Sequence, residues 1–164
     1  MEWTTARGRK ERKQVYTALK EEIPELVVIS LRDRDDEPAE TVGADLVDGS
    51  SGEADFHPRR WRRRYIESYL IWPPAIAAVT GLEEEDVKQQ LSDKHAIAVG
   101  ATFPDTDAPP ALLDVRAKQI LRPGTGTAVL GQFDASPVDV ATQMDPAAIP
   151  DDIKTFLEEL ADRA

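Results

Sequence analysis

The chain has 164 residues, with 31 acidic against 20 basic side chains, a formal net charge of −11 and no cysteine. That length carries one domain with its own core and is short for two. The absence of cysteine excludes disulfides, thiol nucleophiles and cysteine-ligated zinc. The charge argues against indiscriminate coating of nucleic acid, while leaving room for a local basic groove. No stretch reaches the ~18 apolar residues of a membrane span, and no apolar run follows the N-terminus as a signal peptide requires, so the expected location is cytoplasmic.

From the N-terminus, "RGRKERKQVYTALKEEI" (7–23) places Val15, Leu19 and Ile23 on one stripe and predicts a helix closed by Pro24. "LVVIS" (26–30) follows as a strand unbroken by polar positions, the pattern of a parallel sheet covered on both faces. Residues 33–55 are dense in Asp, Glu, Gly and Ser and read as a loop with room for one short helix. "ADFHP" (54–58) reads as a second short strand. "RRWRRRYIESYLIW" (59–72) has Ile66 and Leu70 four apart and reads as a helix that stops at Pro73-Pro74.

The rest is mostly helical. "PAIAAVTG" is a short helix ended by Gly81, and "EEEDVKQQLSDKHA" (83–96) carries acids in its first turn, where the helix dipole favours them. "PDTDAPP" (104–110) is a polar connection, and "ALLDVRAKQIL" (111–121) is a helix ending at Arg122-Pro123. "RPGTGTAVLG" (122–131) lacks the Lys-Ser/Thr of a phosphate-binding loop and reads as a turn. "IPDDIKTFLEELADRA" closes the chain as a helix with Pro150 at its first position and a stripe of Ile153, Phe156, Leu157 and Leu160. The fold class is α/β: a parallel-sheet part over 10–72, then a helical part over 73–164, in one domain.

Three features carry candidate chemistry. Asp33 and Asp35 follow the first strand. In an extended chain they project the same way, and sites in open α/β sheets gather beyond the carboxyl ends of strands. Such a pair suits Mg²⁺, which is held by one or two carboxylates with phosphate and water completing its shell. A solvated acidic turn balanced by arginines accounts for the same residues, and the motif alone leaves both open. Arg59, Arg60, Arg62, Arg63 and Arg64 form the second feature. They suit phosphates, or equally salt bridges with the acidic loop before them. Glu67, flanked by Ile66 and the pair Tyr69-Leu70, is the third: facing inward, it needs an arginine or a metal. His57 and His95 have no local partners and read as surface or structural residues. Trp61, Tyr65, Tyr69 and Trp72 read as core or interface.

A hydrophobic strand ending in D-x-D-D, a loop, a short strand and the arginine-bearing "RRYIESYLIWPPAI" resemble the TOPRIM region of OLD-family proteins. "DVRAKQIL" is similar to that family's lysine-bearing helix, and "IPDDIKTFLEEL" to its closing helix, so the resemblance spans about residues 10–164. It implies a partial TOPRIM-like, Rossmann-like sheet and a DNA endonuclease dependent on Mg²⁺ or Mn²⁺. Such an endonuclease is tied to an ABC-type ATPase domain or subunit and to defence against phage or foreign DNA. A homo-oligomer is among the partners it suggests, and a membrane is not. On that pattern Asp33, Asp35 and Glu67 are metal ligands, with Glu67 also orienting water. Lys118 stabilises charge on the phosphate, and the arginines at 59, 60, 62, 63 and 64 contact nucleic acid. Charge balance adds that Glu67 and Lys118 are expected to converge on Asp33 and Asp35, because an inward glutamate needs a cation, a lysine in an apolar-striped helix needs an anion, and the carboxylate pair needs both metal and counter-charge.

The departures are specific. The family's first strand, with its glutamate, has no counterpart here, since Glu2 and Glu11 do not stand in a strand context. Ser68 replaces the usual asparagine, and "RAK" replaces a glycine-lysine pair. The alternative is a non-catalytic TOPRIM remnant that docks to an ATPase or another partner.

Overall fold

The computed structural model describes residues 8–49, 53–98, 110–122, 126 and 128–163. The expected connection at 104–110 lies almost wholly outside them, as does part of the turn at 122–131. Helix α1 spans Arg9–Glu22, strand β1 Val28–Arg32 and strand β2 Phe56–Arg60, and the two strands pair in parallel from Val28↔Phe56 to Arg32↔Arg60. The chain is thus α/β, with the small parallel sheet near its N-terminal end. The first strand starts two residues later than its apolar run, because Val28 N–H is the first group to reach β2, donating to Asp55 O at 2.8 Å.

The sheet is layered between helices. Val28, Ser30 and Phe56 share the face toward α1, where Tyr16 packs on Phe56 with ring centroids 5.1 Å apart and Arg12 Nη1 donates to Ser30 Oγ at 2.7 Å. α1 does not bury the expected Val15, Leu19 and Ile23 stripe; Tyr16 is its buried residue, and Ile23 is 41% exposed. The other face meets α7 (Asp151–Asp162). Here Phe156 packs edge-on against Trp61 at 5.4 Å, and Glu159 takes a bidentate pair from Arg59 at 2.9 and 2.5 Å. Of the closing helix's stripe, Phe156 is buried and Ile153 packs on the core, but Leu157 is 52% exposed, and Pro150 caps the helix rather than starting it.

The helix expected over 59–72 is not formed. Arg59 and Arg60 belong to β2, held there by Val47 on the far edge, with Arg60 N–H donating to Leu46 O at 2.9 Å. The chain then turns and closes a 3₁₀ turn at Ile66–Leu70. Buried Ser68 fixes that turn: its hydroxyl accepts from Tyr65 N–H at 3.3 Å and donates to Val115 O at 3.2 Å.

Helices α2 (Pro73–Thr80) and α3 (Glu84–His95) form as read, α2 with proline in its first turn and Gly81 left-handed at φ 71° as its cap. A single glycine suffices there because a side chain is strained at that φ. The helix expected over 111–121 is broken into α4 (Pro110–Leu113) and α5 (Ala117–Ile120). The carbonyls that a continuous helix would use internally go elsewhere. Leu113 O accepts from Arg34 Nη2 at 2.7 Å and Arg64 N–H at 2.9 Å, and Val115 O from Ser68. α6 (Pro137–Thr142) completes the helical part, whose core includes Ile76, Val87, Leu91, Leu112, Leu121 and Val140. No helix among the described residues is long and apolar enough to cross a membrane.

Candidate functional site

Asp33 is the first residue past β1, and its backbone position is set by the sheet. Its side chain, about three-quarters buried, is held from two sides: Oδ1 accepts from Ile66 N–H at 3.0 Å, and Oδ2 accepts from Lys118 Nζ at 2.8 Å. The Ile66 contact exists because the 3₁₀ turn presents its first N–H outward, as helix starts do. That turn also carries Glu67, whose Oε2 lies 3.9 Å from the same Nζ. This oxygen is buried and makes no hydrogen bond. Lys118, on α5, completes the cluster with its ammonium 4.4 Å from the centroid of the Tyr65 ring, a cation–π placement.

Three distant segments are thus brought to one point. Asp33 comes from the sheet, Glu67 and Tyr65 from the turn after β2, and Lys118 from the broken helix.

Asp35 departs from its expected geometry. It does not continue the extended line of the strand but turns left-handed, at φ 55°, with its N–H donating to Arg64 O at 3.0 Å. The two aspartates therefore do not form a parallel pair of ligands. Asp35 is exposed, yet near enough for its charge to act on Lys118. Burial pulls the Lys118 pKa down, but the hydrogen bond and charge of Asp33, then the charges of Glu67 and Asp35, more than offset it. The net shift is upward, so the ammonium keeps its proton throughout the neutral range.

The five arginines divide. Arg59, Arg60 and Arg63 are buried. Arg59 holds Glu159, Arg60 donates to Thr41 and pairs with Glu37, and Arg63 donates to Ser68 O at 3.1 Å while lying 4.6 Å from the Tyr69 ring centroid. Arg62 and Arg64 are half-buried, and Arg64 pairs with exposed Asp36. Of the salt bridges expected with the acidic loop, Arg60 makes one with Glu37 and Arg64 one with Asp36, whereas Arg59 pairs with Glu159 of α7 and Arg63 donates to a backbone carbonyl.

Among the described residues, no group of three or more Asp, Glu or His converges closely enough to hold a metal alone. What the site offers is two carboxylates, Asp33 and Glu67, with one Glu67 oxygen lacking a hydrogen-bond donor. That set fits a hard cation whose remaining positions are filled by water and phosphate.

Two contributors escaped sequence reasoning. Tyr65 sits under the ammonium, and only its position two residues before Glu67 hinted at it. Arg34, 1% exposed, pins the α4 end to the strand exit through Arg62 O (2.9 Å), Leu113 O (2.7 Å) and Asp114 Oδ1 (2.5 Å), together with Glu37 O. Compared with protein-family models, curated proteins and solved structures, the chain matches none.

Proposed function

We propose that Asp33, Glu67 and Lys118 form a divalent-metal-dependent phosphodiesterase centre acting on DNA, of the TOPRIM type found in OLD-family nucleases and working with an ABC-type ATPase. The observation that carries this reading is the convergence of two carboxylates and a protonated lysine from three separate segments, beyond the carboxyl end of a parallel strand. When bound, Mg²⁺ or Mn²⁺ supplies Lewis acidity to a phosphoryl oxygen. The protein's share is positional and electrostatic. Asp33, fixed by Ile66 N–H, and Glu67, whose buried Oε2 accepts no hydrogen bond, would hold the cation. Lys118 offers a fixed positive charge where negative charge builds on the phosphate, and the Tyr65 ring supports its ammonium.

A second reading, a binding or assembly module derived from such a domain, is favoured by one observation. Most of the arginine cluster is spent inside the fold, in a chain of net charge −11.

Mn²⁺-dependent nicking of supercoiled plasmid separates the two. The nuclease reading expects open-circular product that disappears in Asp33→Ala and falls at least about 100-fold in Lys118→Ala. No nicking by the wild-type chain, or equal nicking by all three proteins, refutes the catalytic reading.

A further inference from the structure

The inward carboxylates of this fold are held in two ways. Glu159 takes both arms of the Arg59 fork, and Asp48 takes Arg32 Nε at 2.8 Å and Nη2 at 3.4 Å. Forked pairs of this kind are directional and hard to leave. Asp33 is held differently. Its Oδ2 receives a lysine through one hydrogen bond of 2.8 Å, and the Lys118 side chain is 48% exposed. A single contact from a half-exposed ammonium is weak and breaks readily.

Lys118 is also an incomplete counterion. Its ammonium feels the charges of Asp33, Glu67 and Asp35, one positive group against three negative ones. It bonds Asp33, but Glu67 Oε2 stays 3.9 Å away, buried and without a donor. An idle buried carboxylate oxygen is costly, and a doubly charged ion ligated by both carboxylates relieves that cost. On Asp33, Oδ1 is engaged by Ile66 N–H, so Oδ2 is the oxygen such an ion would take. That is the oxygen Lys118 occupies.

Leaving Asp33 does not carry the ammonium out of the site. The exposed half of the side chain gives the stem room to turn. The Tyr65 ring, its centroid 4.4 Å from Nζ, is a second place for the charge to rest.

We infer that Lys118 is a resident placeholder, which neutralises Asp33 in the metal-free protein and gives up Asp33 Oδ2 for the face of Tyr65 when a divalent cation binds. The inference rests on the reading of Asp33 and Glu67 as metal ligands. It adds that lysine and metal compete for one oxygen, so the residue that serves the phosphate also sets the threshold for loading the ion.

The test uses Mn²⁺ alone, with the free ion counted by electron paramagnetic resonance, against the full chain and Lys118→Met, which keeps an apolar stem and removes the charge. Lys118→Met is expected to bind Mn²⁺ at least about tenfold more tightly than wild type. In EDTA it should melt below wild type, having lost the counterion of two carboxylates. Saturating Mn²⁺ should then raise its melting temperature more than that of wild type. A second measurement keeps the native lysine. Acylation of Lys118 by acetic anhydride, read by peptide mass spectrometry against exposed Lys10 of α1, should speed up severalfold when Mn²⁺ saturates the wild-type chain. Mn²⁺ binding by Lys118→Met that is equal to or weaker than that of wild type overturns the placeholder and leaves the metal centre standing. Unchanged acylation of Lys118 at saturating Mn²⁺ overturns it too, because the ammonium has then stayed on Asp33. Binding of Mn²⁺ by neither protein removes the metal centre itself, and the inference with it.

Discussion

Replacing Arg34 with methionine should cost the fold more than any other single polar change at the strand exit. The side chain is 1% exposed and donates to four acceptors: the carbonyls of Arg62, Glu37 and Leu113, and Asp114 Oδ1. Methionine keeps the apolar stem and deletes every donor. Glu37 and Asp114 are exposed and regain water, and Leu113 O keeps the Arg64 N–H, while Arg62 O loses the Arg34 Nε donor. Four hydrogen bonds at roughly 0.5–1.5 kcal/mol each, more for the ionic one, give a loss of about 3–4 kcal/mol. For a chain of this size that is about 10 °C in melting temperature. Arg34→Lys, which keeps the charge without the planar fork, should lose about half as much. Urea and thermal unfolding measure both variants, and a change below about 1 kcal/mol in Arg34→Met refutes the pinning role. The same variant should loosen α5 and speed hydrogen exchange at the Leu121 amide, because α4 and α5 are held to the sheet through Leu113 and its neighbours.

Burial raises the Tyr69 hydroxyl well above the usual phenol range, with Asp152 adding to the shift. It therefore stays neutral and donates to Asp152 at 2.5 Å, and Tyr69→Phe should cost about 2–3 kcal/mol in chemical unfolding. Burial pushes the Glu159 carboxyl up, but the hydrogen bond and charge of Arg59, with Arg163 and His57, bring it net below 4.5. A depressed folded value means that its stabilisation is present above the unfolded value and is lost as pH falls. Glu159→Gln should thus be about 1–2 kcal/mol less stable than wild type at pH 7, with the difference shrinking as pH falls through the acidic range in pH-dependent melts. In DNA binding, Arg62→Ala with Arg64→Ala should reduce the slope of log affinity against log salt by up to about 2, since these are the members of the cluster not buried. Arg59→Ala should instead lower the melting temperature and leave that slope unchanged.

The strand that leads to Asp33 was legible because an apolar β-branched run followed by acids has few other readings. α2 was equally plain between its proline and Gly81, as was α3 with acids in its first turn. Arg59 and Arg60 misled because helical spacing in Ile66 and Leu70 was extended backward across residues that Val47 and β1 hold in a sheet. The break between α4 and α5 was invisible because its cause is remote: Arg34, Arg64 and Ser68 capture carbonyls that local propensity would leave to the helix. Asp35 was misplaced for a related reason. The Arg64 carbonyl draws its N–H out of the extended line into a left-handed turn, and nothing in the D-x-D spacing encodes that partner. The meeting of Asp33, Glu67 and Lys118 was expected from charge balance, which survives errors in local structure because an inward carboxylate needs a cation whatever backbone carries it.

Whether that cluster holds a cation is settled most directly by Mn²⁺ titration followed by electron paramagnetic resonance, comparing wild type with Asp33→Asn and Glu67→Gln. The account predicts a bound Mn²⁺ population in the wild-type chain that weakens at least about tenfold in either variant, since each substitution removes one of only two carboxylates offered to the ion. Mn²⁺ binding of the same strength in all three proteins, or none in the wild type at millimolar metal, contradicts it.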